Sequence, residues 1–431
     1  MCDLSHDENH IKRPHRANQP AWQPIKRLYS EHGGEVRLDH FHLLRRLGSG
    51  DIGNVFLCEI KHTVMNLDRY GGGGGCYYAL KVVDRECLRM KNKLKRADVE
   101  RKVLSVLDHP FLPTLYANFD AYHNSCLLID YCHGGDLFRL QQNQPNLRFT
   151  VSAAKFYAAE VLVALEYLHM MGIIYRDLKP ENVLIQEDGH VMLSDFDLSL
   201  LHCESHPKLL KARLQQDLTA TLTMKKKKIT SFCCENSVEK GVMIRRRRKK
   251  KKKKASCIVD DDVELSAEPI NARSNSFVGT HEYLAPEMLL GLGHGSAVDW
   301  WAYGVFLYEL LYGITPFKDK DNEKTMRNII GKSVRFPRLC TEFRDKDEDD
   351  DEEEIGKAQD LIKQLLVKNP KKRLGSTRGS CEIKRHEFFE ATNWALIRSN
   401  KPPIVPKQET NYNDVAVLAD LVRDRTKIDF F

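Results

Sequence analysis

Tyr175-Arg176-Asp177-Leu178-Lys179-Pro180-Glu181-Asn182, followed by Leu193-Ser194-Asp195-Phe196-Asp197, gathers acids, a lysine, an arginine and an amide into one short stretch. Two short runs, Val183–Ile185 and Val191–Ser194, flank these chemical groups and predict a pair of small strands. Such density suits phosphoryl transfer. One acid orients an attacking hydroxyl, a second acid and an amide hold Mg2+ on the phosphates, and a lysine offsets charge at the transferred group. A solvated turn could carry the same composition, but this string rarely arises by chance.

Working outward, Gly48-Ser49-Gly50-Asp51-Ile52-Gly53-Asn54-Val55 lies between two predicted strands. Missing side chains let backbone N–H groups come close to phosphate oxygens. Alone the pattern is weak, and a dinucleotide fingerprint would lead into a helix, whereas here a strand follows. Lys81 stands inside the apolar strand Tyr78-Ala79-Leu80-Lys81-Val82-Val83. A buried ammonium needs anions, and Glu100 on the next predicted helix and a bound phosphate would supply them. The plainer alternative is an edge-strand lysine reaching water.

Around these motifs the texture changes once. Short β-rich runs (Phe41–Leu47, Val55–Ile60, Tyr77–Val83, Cys126–Tyr131) enclose one predicted helix, Leu94–Leu107. After Thr150 an apolar stripe of Phe156, Ala159, Val163 and Tyr167 marks helical sequence. The class is α+β, with a small β-rich lobe over residues 41–131 and a larger helical lobe over 132–200 and 267–397. Residues 1–40 read as a polar tail, 201–266 as a basic insert without a core, 345–354 as an acidic solvated loop, and 398–431 as a C-terminal tail. Gly71–Gly75 reads as a flexible hairpin loop.

The chain has 431 residues, 42% hydrophobic and 29% charged, with a formal charge of +7. Residues 202–264 hold 18 basic and 8 acidic side chains, net +10, so the rest carries −3 (+7 less +10). Ten of the basic residues are consecutive, Arg245–Lys254, a block that repels itself. No apolar run reaches the roughly 18 residues of a membrane span. The start lacks a signal-peptide pattern, Cys2 excludes myristoylation, and the end lacks a prenylation cysteine. The 12 cysteines show no metal or framework spacing and read as thiols of an intracellular protein.

The set resembles the eukaryotic protein kinases, in order from Phe41 to about Ile397. That resemblance implies a bilobal kinase fold and a serine/threonine kinase using ATP and Mg2+. Asp177 would be the catalytic base, Lys179 would sit near the γ-phosphate, and Asn182 and Asp195 would bind the metal. Lys81, paired with Glu100, would meet the α- and β-phosphates. Leu47, Gly48, Gly50, Gly53 and Val55 would cover the nucleotide, with Asp130 and Cys132 at the hinge. Tyr175, Ser276-Phe277-Val278-Gly279-Thr280, Ala285-Pro286-Glu287 and the hydrophobic end resemble the AGC kinases. Asp195-Phe196-Asp197, where most kinases have Asp-Phe-Gly, and the long insert resemble their plant-specific branch, on its PINOID-like side. A buried Glu287–Arg373 ion pair is implied by the same likeness.

Further expectations follow from it. Asp136 and Glu181 match positions that bind arginines of the substrate, and bidentate guanidinium–carboxylate pairing explains such a preference. Asp136 would alternatively touch the ATP ribose, or do both. Thr280 contributes to substrate recognition. Ser276 is the expected activation-loop phosphosite, with Ser274 a second candidate and Arg176 drawn to the phosphate. The chain end, Ile428–Phe431, would dock an upstream activating kinase, though Ile428 replaces the usual phenylalanine. Arg245–Lys254, with Cys233-Cys234 nearby, could be a nuclear address, a nucleic-acid contact or an anchor to anionic phospholipids. PINOID-like kinases act at the plasma membrane on auxin carriers, which favours lipid, the membrane periphery and cytoplasm over the nucleus, and membrane transport proteins as substrates of a monomer. The rival reading is a non-catalytic membrane- or nucleic-acid-binding scaffold on a kinase fold.

Overall fold

The structure is a computed structural model that describes residues 15, 19–50, 53–61, 76–201, 268–269, 272–337 and 348–406. The Gly71–Gly75 run, Cys233 and Cys234, Arg245–Lys254 and Ile428–Phe431 lie outside the described residues.

The small lobe is built on β1 (Phe41–Ser49), β2 (Asn54–Ile60), β3 (Tyr77–Asp84), β4 (Leu115–Ala121) and β5 (Asn124–Asp130). These form one antiparallel sheet in the order β1-β2-β3-β5-β4. Alternation decides what each face carries. Tyr78 and Leu80 of β3 share an apolar cluster with Cys58, Cys126 and Leu128, so Lys81, between Leu80 and Val82, faces the other way. Sequence alternation had located four of these strands. β4 carries the strand-poor residues Asn118 and Asp120 and is recruited by pairing with β5.

Residues 22–31 depart from the expected tail. They form α1 (Trp22–Glu31), whose Ile25 and Leu28 are buried with Phe41, Tyr78 and Tyr116 on the outer face of the sheet. The Tyr78 hydroxyl donates to Ala21 O at 2.7 Å, and Trp22 meets Tyr116 edge-on at 4.9 Å between centroids. Only one narrow stripe of this polar helix faces inward, which hid it from the composition. Between β3 and β4 lie α2 (Arg85–Met90), capped by the Asp84 carboxylate, and α3 (Leu94–Val106), which buries Glu100, Val103 and Leu104.

The large lobe contains α4 (Leu137–Gln142), α5 (Val151–Met170), β6 (Ile173–Ile174), β7 (Val183–Ile185), β8 (Val191–Leu193) and β9 (Leu200–Leu201). It continues with α6 (Pro286–Leu289), α7 (Ala297–Tyr312), α8 (Asn322–Gly331), α9 (Glu348–Leu365) and α10 (Ser380–Lys384). Its core is centred on α5 and α7, with Tyr157, Leu165, Trp300, Trp301 and Phe306 fully buried. Glu287 and Arg373 form the expected buried pair, two bonds of 2.7 and 2.8 Å. The acidic loop expected over 345–354 is corrected from Glu348 onward, where α9 begins, and Glu354 pairs with Lys155 on α5. No helix among the described residues is long and apolar enough to cross a membrane.

Candidate active site

Lys81 is only 8% exposed, and its ammonium donates to Glu100 Oε1 at 2.6 Å and to Asp195 Oδ1 at 3.0 Å. Burial alone would strip its proton, but the Glu100 and Asp195 charges reverse that and hold its pKa above the usual lysine value. One cation thus ties β3, α3 and the large lobe together.

The β7–β8 hairpin explains why Asn182 and Asp195 meet. Val183 pairs with Leu193, and Ser194 donates to Asn182 O through its N–H at 2.9 Å and its hydroxyl at 3.0 Å. Residues just before one strand and just after the other are therefore neighbours. Asp195 is left-handed, φ +56°, a region that aspartate tolerates better than most residues. Asn182 Nδ2 donates to both Asp177 O and Asp177 Oδ2 at 2.8 Å. Lys179 Nζ reaches Asp177 Oδ2 at 3.0 Å and Thr280 Oγ1 at 3.1 Å. Burial raises the Asp177 carboxyl above its ordinary value, partly offset by Lys179 and Asn182. A raised carboxyl is a better proton acceptor.

The glycine run bends back over β3. Gly48 pairs with Val55, Val55 pairs with Lys81, and Gly50 N–H donates to Gly53 O at 2.8 Å. A Cβ on Gly53 would collide with Val82 O, so the hairpin can lie this close only without one. Leu47 is half-buried at its base. At the hinge, Cys132 Sγ packs 3.7 Å from Met192 Sδ. The Asp130 carboxylate accepts from Thr114 N–H at 2.7 Å and the Tyr116 hydroxyl at 2.6 Å, so its side chain serves the sheet and only its main chain remains for a ligand.

Asp136 caps α4 through Arg139 N–H at 2.8 Å and also holds Arg139 Nε at 3.3 Å. Glu181 is exposed at the mouth of the site. Sequence reading missed its acidic neighbours. Glu309 is pushed up to about 7 by burial, with the Glu181 and Glu282 charges adding to the effect, while the Tyr283 hydroxyl donates to it. The signal was present, since Glu309 interrupts the apolar run Trp300–Leu311.

Arg176 Nη1 donates to Ser276 Oγ at 2.7 Å and Ser274 Oγ at 3.1 Å, and lies 3.5 Å from His294 Nε2. Neither His294 nor Arg96 had been singled out. Arg96, on α3, reaches the Asp197 carboxylate at 3.7 Å. Burial first, then the Asp195 charge, pushes Asp197 up to about 7.

The protein kinase domain family matches residues 41–215 and 261–389. The chain is 49% identical to Protein kinase PINOID 2 of Arabidopsis thaliana, over 95% of this chain and 85% of that protein. It is 54% identical to Protein kinase PINOID 2 of Oryza sativa subsp. japonica, over 91% and 83%. With serine/threonine-protein kinase AGC1-7 of Arabidopsis thaliana it shares 46% identity, over 92% and 68%.

Proposed function

The chain belongs to the protein kinase family, among the plant AGC serine/threonine kinases of PINOID type, and on that premise we propose its mechanism, substrate preference and place of action. Asp177 takes the proton of a substrate Ser or Thr hydroxyl as that oxygen attacks the γ-phosphorus of ATP; the bond to the β-phosphate bridging oxygen breaks and ADP leaves. Lys179 offsets charge on the transferred group, and Lys81 meets the α- and β-phosphates beneath the glycine hairpin. The observation that carries this reading is the Glu100–Lys81–Asp195 chain, an ordered cation beside an exposed carboxylate.

The donor set fits Mg2+. Among the described residues there is no cluster of three His, Cys, Asp or Glu side chains for a metal. Asp195 and the Asn182 amide oxygen instead offer the few hard oxygens that Mg2+ takes when phosphates and water complete its shell. When bound, the ion neutralises phosphate charge.

Substrates carry arginines near the target residue. The exposed Glu181 carboxylate, whose charge acts on Glu309 together with that of Glu282, supports this, because clustered acids favour guanidinium; Asp136 is the second expected contact. Ser276, already 2.7 Å from Arg176, is the activating phosphosite. Ile428–Phe431 dock the upstream kinase, and the chain works as a monomer. Arg245–Lys254 bind anionic phospholipid, at about 1 kcal/mol per basic residue near the leaflet. In this reading the protein acts in auxin-related signalling at the plasma membrane, on transport proteins.

Asp177→Asn tests the chemistry. Phosphorylation of an Arg-containing Ser peptide with Mg2+ and ATP should fall about 10²- to 10⁴-fold, the usual worth of a general base, with ATP binding retained. Survival of activity would remove Asp177 from the role, and inactivity of the intact Ser276-phosphorylated protein would favour a scaffold. Imaging in plant cells tests the location. Arg245–Lys254 changed to glutamine should release the protein from the plasma membrane, and a nuclear intact protein would contradict the lipid reading.

A further inference from the structure

His169, on α5, is 1% exposed and sits between two acids. Its Nδ1 lies 3.0 Å from Glu268 Oε2, and its Nε2 lies 2.7 Å from Asp299 Oδ2. A carboxylate oxygen beside each ring nitrogen is the arrangement that an imidazolium, which donates from both nitrogens, satisfies. Burial alone would favour the neutral ring; the Glu268 charge and the bonds to both acids overcome it and lift the pKa to about 10.

Asp299, on α7 and fully buried, passes this arrangement to the catalytic loop. Its Oδ2 also accepts from Tyr175 N–H and its Oδ1 from Arg176 N–H, each at 2.8 Å. Those two residues lead directly into Asp177. Arg176 is left-handed, φ +68°, which a side chain disfavours, so something must hold it there.

Glu268 comes from outside this framework. It lies in the stretch leading up to Ser274 and Ser276, yet it is 7% exposed. Gly379, φ +63° at the start of α10, leaves room for its carboxylate, into which a Cβ would collide. A buried acid with a reserved space has a partner to serve.

We propose that Glu268 is a positioning residue for Asp177: it keeps His169 doubly protonated, and His169 then locks Asp299 onto the Tyr175 and Arg176 N–H groups. The inference rests on Asp177 being the base. The charged groups facing the ring are Glu268, Asp299 from α7 and, across Asp299, Arg176; the edge contact with Trp300, 4.7 Å between centroids, adds no charge.

The test is Glu268→Gln in the full-length, Ser276-phosphorylated protein. kcat should fall about tenfold with KM for ATP unchanged, as a charge-assisted bond becomes a neutral one. The remaining activity should decline as pH rises through neutrality, because His169 without Glu268 loses its proton there, whereas the unsubstituted protein shows no such limb. Glu268→Asp, which keeps the charge, should restore kcat and abolish the limb. An unchanged kcat, or a loss without the limb that Glu268→Asp does not rescue, would overturn the proposal. Should the variants fail to fold, 15N NMR of His169 in the unsubstituted protein decides: both ring nitrogens protonated at pH 8 supports it, and a neutral ring refutes it. An inactive Asp177→Asn beside an unaffected Glu268→Gln would sink this inference and spare the assignment of the base.

Discussion

Asp197 occupies a position where most kinases have glycine, but its backbone is not left-handed; that conformation falls on Asp195 instead. The side chain is therefore tolerated without backbone strain and gains Arg96 at 3.7 Å. Because Arg96 is about one-third exposed, the pair is worth roughly 0–1 kcal/mol. Asp197→Gly should then change kcat/KM by less than about fivefold; abolished activity in a peptide assay would show that the carboxylate does more. His294 offers a second check at this scale. Burial, then the Arg176 charge, lowers its pKa to about 4 from an ordinary 6.5. Between those values the unfolded chain binds a proton that the folded chain refuses, so stability falls as pH drops from 6.5 towards 4. In denaturation experiments across that window, His294→Gln should flatten the slope; an unchanged slope would contradict the lowered pKa.

Among the elements, α1 has the clearest consequences. Ile25 is fully buried against the sheet in the company of Phe41, Tyr78 and Tyr116. Ile25→Ala should therefore cost about 2–5 kcal/mol, the range for such truncations, measured by urea denaturation. A loss below about 0.5 kcal/mol, typical of surface changes, would mean that α1 is not part of the small lobe. α1 and β4 share a reason for escaping the sequence reading: each is polar along most of its length and is stabilised by one face or one partner strand. The β7–β8 hairpin was legible because the expected runs, Val183–Ile185 and Val191–Ser194, match the observed strands almost to the residue. The acidic run before Ile355 misled for the opposite reason, since a run of charge resembles a loop, whereas the backbone there is helical and Glu354 pairs with Lys155.

For the whole molecule, the buried Glu287–Arg373 pair joins α6 to the segment after α9. Arg373 also donates to Ala297 O at 2.7 Å, so its charge is fully committed. Arg373→Met leaves Glu287 buried and unpaired and should destabilise the chain by about 3–5 kcal/mol. The combined Glu287→Gln, Arg373→Met variant should recover part of that loss in thermal unfolding; no recovery would show that packing rather than charge sets the cost. The motif residues announced themselves because Asp177, Lys179, Asn182 and Asp195 lie close along one strand–turn–strand unit, and Lys81 is a cation where only apolar residues belong. Local chemistry of that kind survives in a one-dimensional string, and it was enough to identify the kinase fold and to single out Lys81, Asp177, Lys179, Asn182 and Asp195, which hydrogen bonds then bring together. Glu268, His169 and Asp299 are separated by up to 130 residues, and none stands in a sequence pattern that calls for the others. Their charges become interdependent only when α5, α7 and the returning chain exclude water around them, because burial is what makes an unpaired charge costly and a paired one directional.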